Sequence, residues 1–389
     1  MLTPEQTRIV KATVPILETG GEALTTHFYK IMLDEYPEVR PLFNQAHQIH
    51  GSQPRALANA ILQYARHIDD LGALGSLPAR IIQKHVALQI LPEHYPVVGT
   101  CLLRAIREVL GAETATDAVL DAWGEAYWQL ANILIGAEGS EYNRLAETHG
   151  GWRGGRLFRV ADKCIESAEI VSLYLSPVDG AAVLSHEPGQ YLGLKLLIDG
   201  QEVRRNYSIS QAANGEQLRI SVKREPGGLV SNHLHDKVQI GSELEIFPPA
   251  GLFVLKKGAG PLALISGGVG ITPLLAMAEA ALAEGMRDIV FIHYARNRDV
   301  HAFAGTVENW ARDYPNFTAH IVYEEAGQGD AYSGRPSLEH LRNWVPANAD
   351  AYFLGPKPFM SFIDKALTEI GIPAERREFE FFGPTEALD

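Results

Sequence analysis

The chain has 389 residues, a net charge of −13, and 46% apolar and 21% charged residues. At roughly 150 residues per domain this length predicts two or three domains, and the composition is that of a soluble globular protein, which excludes a disordered one. The acidic balance argues against binding nucleic acid or an anionic membrane by general electrostatics, but it still allows a local basic pocket for a phosphate-bearing cofactor.

Cysteine usage and the first residues bear on the compartment. Cys101 and Cys164 frame neither a disulfide scaffold nor a metal-spaced cluster, and the N-terminus lacks the basic start and apolar core of a signal peptide. The uncharged run of residues 261–278 is long enough to span a bilayer, but three glycines and Pro273 interrupt it and favour a strand, a turn and a helix. We therefore expect a cytoplasmic protein without a membrane span.

The first third of the chain has a helical pattern. Thr3 reads as the N-cap of the first helix, with Pro4 as the first helical residue and Gln6 closing a capping box. Apolar residues then recur at helical spacing as far as Ile135, and no strand pattern of comparable strength appears before residue 150. These features predict an all-α domain over residues 1–147, which is an ordinary size for one domain.

His85 lies in the middle of an apolar helical face. For a lone histidine in such a place, a buried neutral side chain with a satisfied hydrogen bond is the favoured interpretation. Other polar side chains also stand beside apolar helical faces. Because buried polar groups need partners, a single cofactor would account for all of them. These side chains are Tyr29, Gln53, Tyr95 and Glu138.

Five segments of this region, in their order and separations, resemble a bacterial globin domain. They are His27-Phe28-Tyr29, Leu42-Phe43-Asn44, Gln53 with Leu57, Gln83-Lys84-His85, and Asp121-Ala122-Trp123-Gly124 through Glu138. The resemblance covers essentially all of residues 1–147 and implies haem b with His85 as the proximal iron ligand. It also implies that Phe28, Phe43, Leu57 and Lys84 belong to the haem pocket.

The same resemblance assigns roles to the four polar residues around the pocket. Tyr95 and Glu138 would stand behind the histidine, where a carboxylate increases electron donation to iron and favours O₂ activation over reversible carriage. Tyr29 and Gln53 would donate hydrogen bonds to bound O₂. A surface tyrosine and a solvated glutamate are the alternative for Tyr95 and Glu138. Lys84 would reach a haem propionate or the flavin side, although a solvated lysine is the simpler interpretation.

A glycine-rich break at residues 150–155 predicts a linker over residues 148–155, with Trp152 as a packed anchor. Beyond it the apolar period changes to two, and turn residues separate short predicted strands. The strands are predicted at 157–160, 168–175, 191–196, 206–209 and 218–223. This pattern predicts an antiparallel β-barrel over residues 156–258.

The predicted strand at Arg204-Arg205-Asn206-Tyr207-Ser208-Ile209-Ser210 combines an arginine, a ring and hydroxyls. Successive side chains of a strand alternate between its faces, so Arg205 and Tyr207 share one side. A guanidinium matches a phosphate with two parallel hydrogen bonds, and a tyrosine offers a flat face to another ring. Alone, this run is as well explained by an ordinary exposed strand.

Two further segments accompany this strand: Pro188-Gly189-Gln190-Tyr191, and residues 223–232, where Gly227-Gly228 precedes a helical pattern. Free N–H groups at a helix start bind anions, and glycine lets a phosphate approach. In this order the three segments resemble the flavin domain of ferredoxin-reductase-like proteins, which implies FAD. The residues that the resemblance assigns to FAD are Gln190, Tyr191, Arg205, Asn206, Tyr207, Ser208, Gly228, Leu229, Val230, Ser231 and Phe382.

The last third alternates strands and helices. An apolar strand at 262–266 leads through Gly267-Gly268-Val269-Gly270 to a helix that Thr272-Pro273 is predicted to cap, which is the arrangement that cradles a pyrophosphate. Further strands are predicted at 288–294, 317–323, 351–354 and 379–381, and helices at 306–312 and 358–370. The alternation predicts an α/β domain with a doubly wound parallel sheet over residues 259–389.

The reductase resemblance continues through Ser266 to Pro273, Leu354-Gly355-Pro356 and Phe382-Gly383-Pro384. It implies a nicotinamide nucleotide bound by Gly267, Gly268, Val269, Gly270, Ile271, Thr272, Pro273, Gly355 and Phe382. Leu354 and Phe381 stand where the family often has cysteine, which bears on the rate of hydride transfer. Arg296 and Arg298 would accept a 2′-phosphate or be plain surface arginines, so the choice between NADH and NADPH stays open.

Globin, flavin barrel and nucleotide domain in this order resemble flavohaemoglobin over nearly the whole chain. A nicotinamide gives two electrons, haem iron accepts one at a time, and a flavin converts between the two. The resemblance implies a monomeric NAD(P)H-dependent nitric oxide dioxygenase that uses O₂ and NO and has no obligate protein partner. The alternatives are a flavohaem reductase of peroxide or O₂, and a haem-based O₂ or NO sensor or store.

Overall fold

A computed structural model of the chain describes residues 2–43, 51–325, 332–383 and 388. Asn44 and Pro384, which belong to two of the motifs above, lie outside these ranges. The chain divides into two compact units. Unit 1 comprises Met1–Ala146, Asp199–Arg204 and Gly383–Glu386, and unit 2 comprises Glu147–Ile198, Arg205–Phe382 and Ala387–Asp389. The boundaries of the three predicted domains stay a prediction.

Unit 1 is built from helices, as the apolar spacing predicts. They are α1 (Pro4–Ala12), α2 (Val14–Glu35), α3 (Ser52–Arg66), α4 (Leu77–Leu88), α5 (Tyr95–Thr114) and α6 (Asp117–Glu147), with 3-10 turns at Pro37–Leu42, Leu71–Leu74 and Pro92–His94. The capping box between Thr3 and Gln6 is present, and both of its hydrogen bonds form. Phe28 and Met32 of α2 are buried at the centre, where α2 packs against α3 and α5.

The first sheet is antiparallel. Its strands are β1 (Arg156–Ile165), β2 (Ile170–Pro177), β3 (Tyr191–Ile198), β4 (Gln201–Ser208), β5 (Leu218–Lys223) and β6 (Glu243–Ile246), in the order β4-β3-β6-β1-β2-β5. A bridge between Ile209 and Ile220 joins the chain after β4 to β5, which are the two edges of the sheet, so the sheet closes on itself as predicted. The sequence did not predict β6, because it is short and half of its residues are glutamates.

The second sheet is parallel and buried on both faces. Its strands are β7 (Leu262–Gly267), β8 (Ile289–Ala295), β9 (Phe317–Tyr323), β10 (Asp350–Leu354) and β11 (Arg377–Phe379), in the order β11-β10-β7-β8-β9. The helices of unit 2 are α7 (Leu229–Asp236), α8 (Ile271–Glu284), α9 (Ala304–Asp313), α10 (Leu338–Trp344) and α11 (Lys357–Ile370). Separate apolar cores lie on the two faces of the sheet, which confirms the doubly wound architecture.

In unit 2, two local predictions were wrong and one helix was not predicted. Gly270 is the N-cap of α8, whereas Thr272 lies inside the helix and its hydroxyl donates to the Val269 carbonyl at 3.0 Å. The last strand ends at Phe379 because the N–H of Phe381 is bonded by the side chain of Glu380 at 2.8 Å. The helix α10 was missed, although its N-cap Ser337 accepts a hydrogen bond from the N–H of His340.

The uncharged run at 261–278 forms β7, a turn and the start of α8, as predicted. Within the described ranges, no helix combines the length and the apolar character that crossing a bilayer requires.

Candidate functional site

In unit 1, three helices bring His85, Tyr95 and Glu138 together. The Nδ1 of His85 on α4 lies 2.7 Å from Oε1 of Glu138 on α6 and 3.2 Å from the hydroxyl of Tyr95, which begins α5. The Tyr95 hydroxyl donates to the same Glu138 oxygen at 2.7 Å. Tyr95 and Glu138 are 6% and 2% exposed, so the surface positions considered for them are excluded.

Hydrogen bonds join the three side chains of this triad. A buried carboxylate is stable only with donors around it, and Glu138 receives them from the phenol and the imidazole. Burial, together with the hydrogen bond to Glu138, raises the pKa of Tyr95 above its usual range, so the phenol keeps its proton. With Nδ1 engaged by the carboxylate, Nε2 of His85 is the nitrogen available to bind a metal.

His85 and Tyr95 line a cavity of about 210 Å³ whose remaining walls are mainly apolar, Phe28, Phe43 and Leu57 among them. An apolar cavity with one imidazole oriented by a carboxylate suits a haem, because the porphyrin is apolar and its iron needs a protein nitrogen. The five residues that the globin resemblance placed here are therefore brought together.

Tyr29 and Gln53 lie beside this cavity. Tyr29 is buried, and its hydroxyl is hydrogen-bonded to the side chain of Gln53. Burial raises the pKa of Tyr29 above its usual range, with the Gln53 hydrogen bond opposing it, so the hydroxyl is a donor at neutral pH. The ring of Tyr29 packs edge-on against Phe28 and Phe43, with centroids 4.9 Å and 5.6 Å away. These contacts fix the ring, and the hydrogen bond joins the two polar groups into one pair.

Lys84 is partly buried and has a hydrogen-bond partner within the protein. Its Nζ donates to the carbonyl of Gly383 at 2.9 Å, and both residues belong to unit 1.

In unit 2, the end of β4 carries Arg205, Tyr207 and Ser208, all of which are partly buried, whereas Asn206 is exposed. Burial lowers the pKa of Arg205 and raises that of Tyr207. A guanidinium withdrawn from water favours an anionic partner, which is what a flavin phosphate would supply.

Gln190 and Tyr191 stand at the start of β3. The Gln190 amide is engaged with backbone, since its Oε1 accepts from the N–H of Glu187 at 3.0 Å and its Nε2 donates to the Gly251 carbonyl at 3.5 Å. Tyr191 lies against Gly251 so closely that a Cβ there would come within 2.7 Å of the ring. Gln190 thus braces two loops, and glycine at 251 leaves room for the ring.

The turn before α7 has the form of a phosphate cradle. Gly228 is the N-cap of α7, and a Cβ on it would lie 2.6 Å from Oγ of Ser231, so only glycine keeps the turn open. The N–H of Glu225 donates to Ser231 Oγ at 3.1 Å. Val230 is buried and Leu229 is half exposed. Backbone N–H groups at such a helix start bind a pyrophosphate, so the turn fits FAD.

Sequence reasoning missed the groups that hold this turn. Asn232 Nδ2 donates to the carbonyls of Gly228 at 2.7 Å and Glu225 at 3.1 Å. At the other end of α7, Lys163 Nζ donates to three carbonyls, those of Leu234, His235 and Val238, at 3.1, 2.6 and 2.6 Å. The lysine is distant in sequence, and no local pattern could have linked it to the helix.

The nucleotide turn lies between the ends of β7 and β10. A Cβ on Gly270 would collide with the Leu354 carbonyl, and Cβ atoms on Gly267 and Gly355 would meet the ring of Phe359, at 3.3 Å and 2.6 Å. Gly268 has a φ of +55°, where glycine is favoured. The glycines predicted for the nucleotide thus lie at the carboxyl edge of the parallel sheet, where such folds bind ligands. Phe382, which the resemblance assigned to both the FAD and the nucleotide sites, is 49% exposed.

The two candidate 2′-phosphate ligands have other partners. Arg296 forms an ion pair with Glu169, and the guanidinium of Arg298 lies 5.9 Å from the ring centroid of Tyr323. Both arginines thus make contacts within the protein, and these contacts do not decide between NADH and NADPH.

A buried histidine pair beneath this edge was also missed. Nδ1 of His293 lies 2.8 Å from the Ser266 hydroxyl, and Nδ1 of His301 lies 2.8 Å from the Tyr323 hydroxyl. The two imidazole centroids are 4.7 Å apart. Burial lowers the pKa of His301 to about 4 and that of His293 well below its usual value. A histidine inside an apolar strand pattern was the available signal.

Comparison with known families divides the chain into three parts. Residues 26–134 match the globin family, residues 158–255 match the oxidoreductase FAD-binding domain, and residues 264–365 match the oxidoreductase NAD-binding domain.

Full-length relatives and solved structures agree. The chain is 58% identical to the flavohemoprotein of Pseudomonas aeruginosa over 393 residues and 59% identical to that of Pseudomonas putida, with 100% of each chain covered. A crystal structure of flavohemoglobin from Malassezia yamatoensis with bound FAD and heme superimposes with a TM-score of 0.87 at 27% identity, covering 98% of this chain and 100% of that one. The FAD/NAD binding domain of a nitric oxide dioxygenase from Vibrio cholerae matches 60% of this chain and 100% of its own, at 34% identity and a TM-score of 0.57.

Proposed function

Because this chain belongs to the flavohemoprotein family, an oxidoreductase family with haem, FAD and NAD-binding parts, we propose that it is an NAD(P)H-dependent nitric oxide dioxygenase. In this reaction NO and O₂ combine to nitrate, with one electron needed for each NO. Each NAD(P)H supplies two electrons and therefore supports two turnovers, releasing one proton. The proposal includes detoxification of NO by a monomer in the cytoplasm.

The observation that carries the proposal is the triad of His85, Tyr95 and Glu138, in which the tyrosine and the carboxylate are buried. A carboxylate held at 2.7 Å behind the imidazole makes His85 a more basic ligand, and a strongly donating ligand suits O₂ activation better than reversible O₂ carriage. Tyr95 donates to the same oxygen and fixes the carboxylate in that position. A store of O₂ would need no such arrangement and no fused reductase.

Tyr29 and Gln53 are proposed as the polar pair on the substrate side of the cavity. Their mutual hydrogen bond and the packing of the Tyr29 ring hold the hydroxyl in one place, so it can donate to a ligand without first being ordered. The apolar walls formed by Phe28, Phe43 and Leu57 admit small uncharged molecules such as O₂ and NO.

The remaining assignments concern electron supply. When bound, the nicotinamide supplies a hydride, the flavin converts it into single electrons, and the haem iron accepts them. Residues Gly267 to Pro273 with Gly355 would hold the nucleotide, and Arg205, Tyr207 and Ser208 with the turn at Gly228 to Ser231 would hold FAD. Their supports are the close glycine contacts and the burial of Arg205 and Tyr207.

The test is aerobic NO consumption by the purified, haem- and FAD-loaded protein. We expect NAD(P)H-dependent removal of NO with nitrate as the product and two nitrate ions formed per NAD(P)H oxidised. NAD(P)H oxidation that is unaffected by NO and forms peroxide would instead establish a reductase of O₂. Binding of NO or O₂ without turnover would indicate a sensor or store.

A further inference from the structure

Arg219 of β5 joins two parts of unit 2 that have to work together. Its Nε donates to Oγ of Ser210 at 3.0 Å, and its Nη2 donates to the Ser210 carbonyl. Ser210 lies two residues beyond the strand that carries Arg205, Tyr207 and Ser208. Through two hydrogen bonds, the guanidinium therefore fixes the end of the proposed flavin strand.

The same guanidinium lies between two aromatic rings. Its Cζ is 5.2 Å from the ring centroid of Phe303 and 5.7 Å from that of Tyr174. Both distances lie within the range of cation–π attraction, and arginine is the cation best suited to stack on rings. Tyr174 belongs to β2 of the antiparallel sheet, whereas Phe303 precedes α9 of the nucleotide-binding part. Arg219 thus contacts both parts at once.

Phe303 has an unusual backbone. It is 4% exposed, is the N-cap of α9, and has φ +62° and ψ +20°, a left-handed conformation that disfavours a bulky side chain. Such outliers persist when surrounding contacts over-determine them and are often functional. The contact of its ring with Arg219 is an observed interaction that offsets this strain.

The loop that ends at Phe303 is attached to the antiparallel sheet at two further points. The N–H of Ala168 donates to the Asp299 carbonyl at 2.9 Å, and Arg296 pairs with Glu169. This loop follows β8, whose carboxyl end lies at the edge where parallel sheets bind nucleotides. Displacing the loop therefore displaces the nucleotide edge from the flavin strand.

We propose that Arg219 is a positioning residue for hydride transfer, which keeps the flavin strand and the nucleotide edge at a fixed separation through Ser210 and Phe303. The inference rests on the proposed FAD and nucleotide sites. Arg219 and Phe303 would act without contacting the reacting atoms. They would set the distance between the two cofactors. Hydride transfer is sensitive to this separation, because a misplacement of about 1 Å can cost roughly a hundredfold in rate.

The experiment measures anaerobic reduction of the flavin by NADH in the full-length, haem- and FAD-loaded protein, by rapid mixing. Arg219→Met keeps the bulk of the side chain but removes its donors and charge, and Phe303→Gly tolerates the left-handed backbone but removes the ring. We expect each to lower the limiting rate about tenfold, with FAD content and the rate of reduction by dithionite unchanged. The control Arg159→Met, an exposed arginine of the same sheet paired with Glu243, should reduce at the wild-type rate.

Two further readouts separate positioning from a general loss of structure. The double variant should be no slower than the slower single variant, because both changes interrupt the same linkage through Arg219. Arg219→Lys keeps the charge without the planar fork and should recover only part of the rate. Wild-type rates in both single variants, or loss of FAD from them, would overturn the inference. Failure of NAD(P)H to reduce the wild-type flavin would instead overturn the proposed electron supply.

Discussion

Two histidine clusters, each with buried hydrogen-bond partners, differ in the group that faces the imidazole. In unit 1, His85 is bonded to the carboxylate of Glu138, whereas in unit 2, His293 and His301 are bonded to the hydroxyls of Ser266 and Tyr323. A carboxylate stabilises positive charge on the ring and strengthens it as a ligand, while a hydroxyl does so only weakly. The comparison separates a histidine suited to bind a metal from two histidines whose pKa is lowered by burial.

The surroundings reinforce this difference. His85 faces a cavity, whereas His301 is enclosed and Arg298 adds a repulsive charge that, after burial, further lowers its pKa. Burial therefore does not identify the candidate metal ligand, since His85 is less buried than His293 and His301. Two other features distinguish His85: the carboxylate bonded to its Nδ1, and the cavity that the side chain lines.

The largest expected effect comes from removing the proposed iron ligand. His85→Ala should abolish NAD(P)H-driven NO consumption, because the iron loses its protein ligand, while NAD(P)H oxidation by an artificial flavin acceptor continues. Activity assays with both acceptors on one preparation check this division, and the exposed His149→Ala is the matched control. Loss of both activities in a folded protein would contradict it.

A smaller effect is expected from changing only the partner. Glu138→Gln keeps the size of the side chain but removes its charge, so NO consumption should fall about 10- to 100-fold. Resonance Raman spectra of the reduced protein should show the iron–histidine stretch at lower frequency. Glu125→Gln, an exposed position on the same helix, should change neither quantity. An unaltered stretch in Glu138→Gln would show that the carboxylate does not act through His85.

For the hydroxyl-bonded cluster of His293 and His301, we expect an effect on the pH dependence of folding stability and not on activity. His301 has a folded-state pKa of about 4 against an ordinary value near 6.5, so the unfolded chain binds the proton more tightly. Stability is unaffected above pH 6.5 and falls as the pH drops from there towards 4, by about 2 kcal/mol between pH 7 and pH 5.

Urea unfolding of the wild type and of His301→Gln at both pH values checks this linkage. The variant should lose less stability than the wild type on acidification, because one titrating group is gone. His149→Gln, at an exposed position, should keep the wild-type pH dependence. Equal losses in the wild type and His301→Gln would refute the linkage.

The sequence predicted the parts of the fold that depend on local pattern. Helical spacing, the capping box at Thr3 and the glycine turn at 267–270 all reflect interactions between near neighbours. The family relationship and the cofactor set also followed, from motifs in a recognisable order. The sequence could not predict contacts between distant residues. Lys163 bonds to Leu234, 71 positions away, and Arg219 contacts Phe303, 84 positions away.

The site residues show the same division. Tyr95 and Glu138 had a surface alternative, because amphipathic patterns do not show which polar side chain faces inward. The structure resolves it by placing both side chains within hydrogen-bond distance of His85. Thr272 was wrongly predicted as the N-cap. The N-cap is Gly270, which has no side chain and therefore gives no capping signal in the sequence.

If FAD binds at the turn of Gly228 as proposed, the contacts of this turn have a consequence for uptake of the flavin. Asn232 closes this turn from inside the helix, Arg224 bonds to Asn232 and Asp236, and Lys163 secures the far end of α7. The protein's own side chains thus define the shape of the phosphate cradle. The entropy cost of ordering the turn is then met during folding and not during cofactor uptake. More of the contact energy with FAD would therefore appear as affinity.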